Sequence, residues 1–295
     1  MTDIAISTKG LSRKFGKKFA VNNLDLEVPT GSVFGLLGPN GSGKSTTINM
    51  TMGILPVTSG KISLLGLDPV KQGIEIRQRV GYVPENYGYY EWMKVDELIS
   101  LISAYQPGWN WTLSNQLLMD FGLEQKQKVI ELSKGMRAKL ALLLALSFEP
   151  EMLVLDEPTG GLDPAARRNF IETILSCYQE SGKTILLSSH LLNEFAGLLD
   201  HVAFIREGQL VSTNRLDDLQ KRMKRVRLIF SESVPDKLEV REALCIKKNG
   251  REAIITCSNF DQDKTQQEIQ QSSGADSVII EEMTLEDIFV DLVGS

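Results

Sequence analysis

Apolar residues gather in short blocks separated by glycine-rich or charged stretches, and no single period runs the length of the chain. Ser32-Val33-Phe34-Gly35-Leu36-Leu37 is a block of the buried-strand kind, and Thr46 to Met50 beyond it starts a helical pattern. Arg137 to Phe148 is a strongly helical run, and Met152-Leu153-Val154-Leu155 a second buried strand. His201 to Val211 predicts two strands around an Arg206-Glu207-Gly208 turn, and Leu216 to Lys224 a polar helix. Strands are then expected at 226–230, 254–257 and 277–280, with helices at 261–272 and 285–292. The alternation predicts an α/β core followed by a small α+β module. The longest apolar stretch, Leu140–Phe148, falls far short of the ~20 residues a membrane helix needs, so no span is expected.

Composition narrows the classes. At 295 residues there is room for one large domain and a smaller one. The net charge of −6, without a long basic run, gives no expectation of nucleic acid as a partner. Cys177, Cys245 and Cys257 lie far apart, and are expected to be buried, reduced thiols rather than a zinc site or disulfide frame. The start, Met1-Thr2-Asp3-Ile4, has none of the basic and apolar regions of a signal peptide.

The chemistry lies in the turn after the first strand block. Gly38-Pro39-Asn40-Gly41-Ser42-Gly43-Lys44-Ser45-Thr46 has the spacing G-x-x-x-x-G-K-[ST] of a phosphate-cradling loop. Gly38, Gly41 and Gly43 are expected to take positive φ and turn backbone amides toward the phosphates. Lys44 would reach the β- and γ-phosphates, and the Ser45 hydroxyl would sit on Mg²⁺. The second apolar strand ends in Asp156-Glu157-Pro158. An aspartate there suits the metal's water shell, and the next residue, on the opposite side of the pleat, would face the γ-phosphate and polarise water.

Between these motifs lies Leu132-Ser133-Lys134-Gly135-Met136. With it, the order of motifs resembles that of the ATP-binding cassette (ABC) ATPases, whose signature is usually LSGGQ. The resemblance covers about residues 4–222, with further similarity to prokaryotic export-type cassettes reaching the end of the chain. It implies a P-loop NTPase cassette, a mixed sheet core with an inserted helical subdomain at about 86–150, over residues 1–222. The small α+β domain would then occupy 223–295. It also implies ATP and Mg²⁺ as cofactors, Phe15 stacking on adenine, Val21 touching the nucleotide, and Ser133 and Gly135 contacting the γ-phosphate. Asp163, in Gly161-Leu162-Asp163, would belong to the D-loop, and His190 would be the switch histidine. Glu85 stands where glutamine usually joins magnesium to the transport partner; its extra charge is expected to raise the magnesium requirement. Lys134 and Met136 also depart from the usual signature.

The resemblance further implies two cassettes pairing head to tail over ATP, as a homo- or heterodimer, docked on membrane-embedded permease subunits at the cytoplasmic face. Eight of the chain's nine Tyr and Trp residues lie between 82 and 111, where the family receives a permease helix. Tyr89, Tyr90 and Trp92 are the expected contact residues, Trp109 and Trp111 the expected core. The implied activity is ATP hydrolysis driving transport, in the export direction. A soluble cassette that uses ATP-dependent dimerisation as a switch is the alternative; such relatives carry fused cassettes, long coiled coils or zinc cysteines, none of which is in this sequence.

Overall fold

The structure is a computed structural model that describes residues 3–178, 182–235, 238, 240, 243–260 and 274–293. Its contacts divide the chain into two compact units: Met1–His190 with Ala203–Ser212, and Leu191–Val202 with Thr213–Ser295.

The first unit opens with two long strands, β1 (Ile4–Phe15) and β2 (Lys18–Pro29), followed by β3 (Val33–Leu37) and α1 (Lys44–Thr51). Then come β4 (Ser59–Leu64), α2 (Gly73–Arg79) and β5 (Val80–Val83). Three helices follow, α3 (Val95–Ser103), α4 (Trp111–Asp120) and α5 (Lys134–Leu146). The chain continues through β6 (Met152–Asp156), α6 (Pro164–Tyr178), β7 (Thr184–Ser189), β8 (His201–Arg206) and β9 (Gln209–Arg215). β2-β1-β4 is an antiparallel sheet, and β5-β6-β7-β3-β8-β9 is a separate six-stranded sheet. In the latter, β5, β6, β7 and β3 run parallel. Strands β6 and β7 are buried at every position, so they read as continuous apolar runs rather than alternating ones. One core, including Leu24, Phe34, Ile48, Val154 and Leu186, joins residues of both sheets and α1.

The helical insertion between β5 and β6 has its own start signals. Asn110 caps α4 by accepting from the Leu113 amide (3.0 Å), and Ser133 caps α5 by accepting from Met136 (3.2 Å). α5 packs on α3, α4 and β5, which buries its Leu/Ala-rich stretch. Among the described residues, no helix is long and apolar enough to cross a membrane.

The second unit holds α7 (Leu216–Arg222), β10 (Lys224–Ile229), β11 (Ala243–Asn249), β12 (Glu252–Cys257), β13 (Ser277–Glu282) and α8 (Leu285–Val293). Its four strands form an antiparallel sheet in the order β11-β12-β10-β13. Val226, Leu228, Ala253, Ile255 and Cys257 face its core. The other side carries charge: Arg227 pairs with Glu252 and Glu281, each at 3.0 Å, and Arg225 with Asp287 at 3.0 Å. The helix expected at 261–272 lies outside the described residues. Cys257 is buried as expected; Cys245 is only half-buried, on edge strand β11.

Candidate functional site: a phosphate-binding cleft

Strand β3 delivers the chain into the glycine-rich turn, and α1 starts two residues earlier than the hydrophobic pattern suggests, at Lys44. The N-cap, Gly43, has no side chain to satisfy the first-turn amides, and no acid occupies that turn. The helix therefore presents free N–H groups and its positive end, the arrangement that receives an anion. Two glycines are needed for different reasons. Gly43 has φ +107° and a Cβ there would come 2.5 Å from the Ala20 carbonyl oxygen. Gly38 is not in a left-handed conformation, contrary to the sequence expectation; its Cβ would lie 2.3 Å from the Ile205 carbonyl oxygen, so close backbone approach is what excludes a side chain.

The functional groups converge from β3–α1, β6 and β7. Register pairs Asp156 with Ser188 on the neighbouring parallel strand. Ser188 donates to Asp156 Oδ1 (2.7 Å) and accepts from the Glu157 amide (2.9 Å), so one buried hydroxyl ties both acids together. Ser45 Oγ donates to the same Asp156 oxygen at 3.0 Å. Asp156 is 2% exposed. Burial, only partly offset by these two hydroxyls, raises its pKa above the ordinary carboxylate range. Glu157 does not reach its place by the pleat: the strand ends at Asp156, and Glu157 takes φ +46°. Such a conformation costs a non-glycine residue about 1–3 kcal/mol and persists only where surroundings hold it, here through the bond to Ser188.

That twist aims the Glu157 carboxylate at two cations or donors. Oε2 meets His190 Nδ1 at 2.7 Å, and the His190 amide donates to it at 3.3 Å. Oε1 lies 3.0 Å from Lys44 Nζ but accepts no aligned hydrogen bond, which leaves a buried lone pair for a further donor. Lys44 is folded back on its own loop, donating to the carbonyls of Gly38 (2.8 Å) and Pro39 (3.2 Å).

These groups line one open cleft of about 420 Å³, with Ala20, Asn40, Gly41, Gly43, Ser45, Thr46, Glu85 and Gly160 completing its wall. The other expected residues are elsewhere. Val21 is fully buried in the core and its neighbour Ala20 faces the cleft. Phe15 is 49% exposed at the end of β1, with the Arg13 guanidinium 4.6 Å from its ring centre. Ser133 and Gly135 lie at the start of α5, off the cleft lining; Gly135 sits beside Ala166 and Leu162. Asp163 accepts from the Ala165 and Ala166 amides, each at 3.0 Å, and these bonds hold its pKa below the ordinary value.

Ser188, Ala20 and Gly160 are the residues sequence reasoning missed. Ser188 had a visible signal, a hydroxyl inside the fully buried run Thr184–Ser189, which only the β6–β7 register turns into a partner for Asp156. The oxygen pair of Ser45 and Asp156 fits a hard divalent cation that takes few protein ligands and completes its shell with phosphate and water. Among the described residues, no cluster of three or more His, Cys, Asp or Glu side chains forms a self-sufficient metal cage.

A second hollow, about 240 Å³, opens beside the helical insertion and is lined mostly by apolar groups including Ile54, Tyr82, Tyr89, Ile102 and Phe148. Tyr90 (56% exposed) and Trp92 (67% exposed) stand free, their rings 5.9 Å apart. Trp111, expected in the core, is also exposed, with its ring 6.0 Å from that of half-buried Trp109.

Comparison with known proteins agrees with this geometry. The family described as ABC transporter matches residues 21–160. The bacitracin transport ATP-binding protein BcrA of Bacillus licheniformis is 34% identical over 98% of this chain and 97% of its own length. The Nod factor export ATP-binding protein I of Burkholderia orbicola (strain AU 1054) is 38% identical, covering 72% of this chain and 71% of its own. A solved structure of the ATP-binding subunit of an ABC transporter superposes with a TM-score of 0.66 at 27% identity, over 74% of this chain and 92% of that one. With the glycine-rich turn, Lys44, Ser45, Glu157 and His190 on one cleft, Asp156 hydrogen-bonded to Ser45 beside them, and BcrA matching over almost its full length, the chain belongs to the ATP-hydrolysing, ATP-binding subunits of ABC transporters.

Proposed function

We propose that this chain binds and hydrolyses Mg²⁺-ATP as one of a head-to-tail pair of cassettes, and that it drives a separately encoded permease, for export, from the cytoplasmic face of a membrane. The cassette would span residues 1–222 and the C-terminal module 223–295. One observation carries the pairing: Lys44, Ser45, Glu157 and His190 share a cleft, while Ser133 and Gly135 are absent from its wall. A second copy, or a second kind of cassette, would supply them. The Ser133 cap and free first-turn amides of α5 would then face the γ-phosphate of the partner's ATP.

Each residue has a role its surroundings support. The α1 amides and Lys44 would hold the phosphates, Lys44 exchanging its carbonyl partners for phosphate oxygens. Phe15 would stack on adenine, with Ala20 and Val21 at the adjoining backbone. Ser45 and Asp156 would hold Mg²⁺, with Glu85 in the outer shell; the bound ion supplies charge neutralisation of the phosphates. Glu157 is the general base: its Oε1 lone pair would take a proton from water as the water oxygen bonds to the γ-phosphorus. The bond to the ADP oxygen breaks, giving ADP and phosphate. His190, held by Glu157 at 2.7 Å, would contact the γ-phosphate oxygens and stabilise their charge. Asp163 would close the D-loop against the partner.

The apolar hollow beside the helical insertion, with Tyr90 and Trp92 at the surface, suits an amphipathic helix of the permease. Export is favoured by relatives named for bacitracin transport and Nod factor export. The test is capture of a tagged Glu157→Gln chain from detergent-solubilised membranes in the presence of Mg²⁺-ATP. Recovery of a polytopic membrane protein in stoichiometric amount is expected. Recovery of soluble partners only, or of ribosomes or DNA, would replace transport by the soluble-switch reading.

A further inference from the structure

Strands β8 and β9 are joined by a two-residue turn, Glu207-Gly208, in which both residues are left-handed, with φ of +51° and +78°. The turn lies in the same compact unit as the phosphate loop and the β1–β2 hairpin. Its glycine is bonded to both. The Gly208 amide donates to the Ser42 carbonyl at 2.8 Å, and the Gly208 carbonyl accepts from the Asn22 amide at 2.8 Å. Between these bonds the backbones touch. A Cβ on Gly208 would lie 2.6 Å from the Ala20 carbonyl oxygen and 3.0 Å from Val21 Cα, and one on Gly43 would lie 2.5 Å from the same oxygen. Ala20 is thus seated against two glycines, one in the loop and one in the turn, at the wall of the cleft. Just across the hairpin tip stands exposed Phe15, paired with Lys18.

We propose that Gly208 is a positioning residue for nucleotide binding, and that its turn sets the distance between the phosphate loop and the hairpin end that carries Phe15. This rests on the role given above to Phe15. A nucleotide gripped at both base and phosphates tolerates little change in that distance. On the loop side the turn is fixed. Ser42 holds its amide, and β8, which leads into it, brings the Ile205 carbonyl oxygen 2.3 Å from the place of a Gly38 Cβ. The hairpin end is the softer side, since Phe15, Lys17, Lys18 and Phe19 are all exposed. A Cβ needs about 3.5 Å to a carbonyl oxygen, so a side chain at position 208 would push the hairpin outward by roughly an ångström. The loop would keep its grip on phosphate, and the platform for the base would be displaced.

The test is binding of ADP and of inorganic pyrophosphate, each with Mg²⁺, to the full chain. Isothermal titration calorimetry reads the first, and displacement of ADP reads the second. Base–aromatic stacking contributes about 5- to 100-fold in affinity, so Phe15→Ala should weaken ADP by that factor and leave pyrophosphate unchanged. Gly208→Ala is expected to show the same pattern. Gly208→Asn, which tolerates the left-handed backbone but carries the same Cβ, should do likewise even where the alanine variant folds poorly. Adding Gly208→Ala to Phe15→Ala should cost nothing further, since both act through one contact. Gly66→Ala separates contact from strain: Gly66 has φ +79° and nothing within 4 Å, so both ligands should bind as before. Unchanged ADP affinity in both Gly208 variants overturns the proposal. Equal weakening of ADP and pyrophosphate also overturns it, by giving the turn a part only in folding the loop. Unchanged ADP affinity in Phe15→Ala would instead sink the reading of Phe15, and this inference with it.

Discussion

Replacing Glu157 with glutamine separates the two jobs its carboxylate does in the nucleotide-free protein. Lys44 is 4% exposed and Glu157 10%, with 3.0 Å between the charges. At an effective dielectric of 20 the bare attraction at that distance is roughly 5 kcal/mol. Most of it is offset, because a buried carboxylate also loses its hydration and Glu157 repels Asp156. Lys44 also keeps the Gly38 and Pro39 carbonyls, and glutamine still offers an acceptor. The net loss is therefore that of leaving one buried partner without its counter-charge, about 1–3 kcal/mol. For a unit of this size that lowers the nucleotide-free melting temperature by roughly 3–10 °C. With ATP at a hundred times its Kd, undepleted by hydrolysis, binding returns about 2.7 kcal/mol. Hydrolysis itself should fall about 10²- to 10⁴-fold through loss of the base. Differential scanning calorimetry with and without Mg²⁺-ATP reads both effects. A nucleotide-free melting temperature equal to or above that of the unmodified chain would refute the ion-pair argument, whatever happens to turnover.

Asp156→Asn should abolish Mg²⁺-dependent hydrolysis yet raise the magnesium-free melting temperature, because the carboxylate it removes is buried. Burial raises the Asp156 pKa in the fold, so between the unfolded and folded values the native state binds the extra proton and stability falls as pH rises. The gap between the two proteins, measured by denaturant titration without magnesium, should accordingly narrow on acidification; a gap that widens would be contrary. Gly43→Ala combines a φ of +107° with backbone overlap, whereas Gly41→Ala at φ +77° meets nothing within 4 Å. The first should lose nucleotide affinity and stability together, the second only the ~1–2 kcal/mol of a left-handed alanine, and equal melting temperatures would contradict the contact. Tyr90→Ala with Trp92→Ala should weaken membrane association in flotation assays while sparing fluorescent ATP binding; equal loss of both would mean a folding role.

Local sequence carried the phosphate loop, because strand, glycine spacing, lysine and hydroxyl are contiguous and each constrains the same turn. It carried the strand before Asp156 for the same reason, and it failed one residue later. The pleat argument put Glu157 on the opposite face, but a left-handed residue ends the alternation, and the bond that stabilises it comes from Ser188, 31 positions away. Position along β2 misled in a similar way: Val21 points into the core, and Ala20, small and easily overlooked, is what the cleft meets. Trp111 was expected inside because of its size, yet it opens α4 at the surface, where a large ring costs little if another ring lies beside it. Strand β11, Ala243–Asn249, escaped notice because two adjacent lysines and an asparagine on a sheet edge dilute its apolar pattern.

The placement of the α5 start away from its own cleft has a genetic consequence. If each site draws its phosphate loop from one polypeptide and its serine cap from another, two defective alleles need not be additive. A chain disabled at Lys44 and one disabled at Ser133, co-expressed, would concentrate both lesions in one of the two sites of a mixed dimer and leave its twin untouched. Two such alleles of one gene would complement each other, whereas two lesions in Lys44 and Ser45 never could, since those side chains always travel in the same strand–turn–helix.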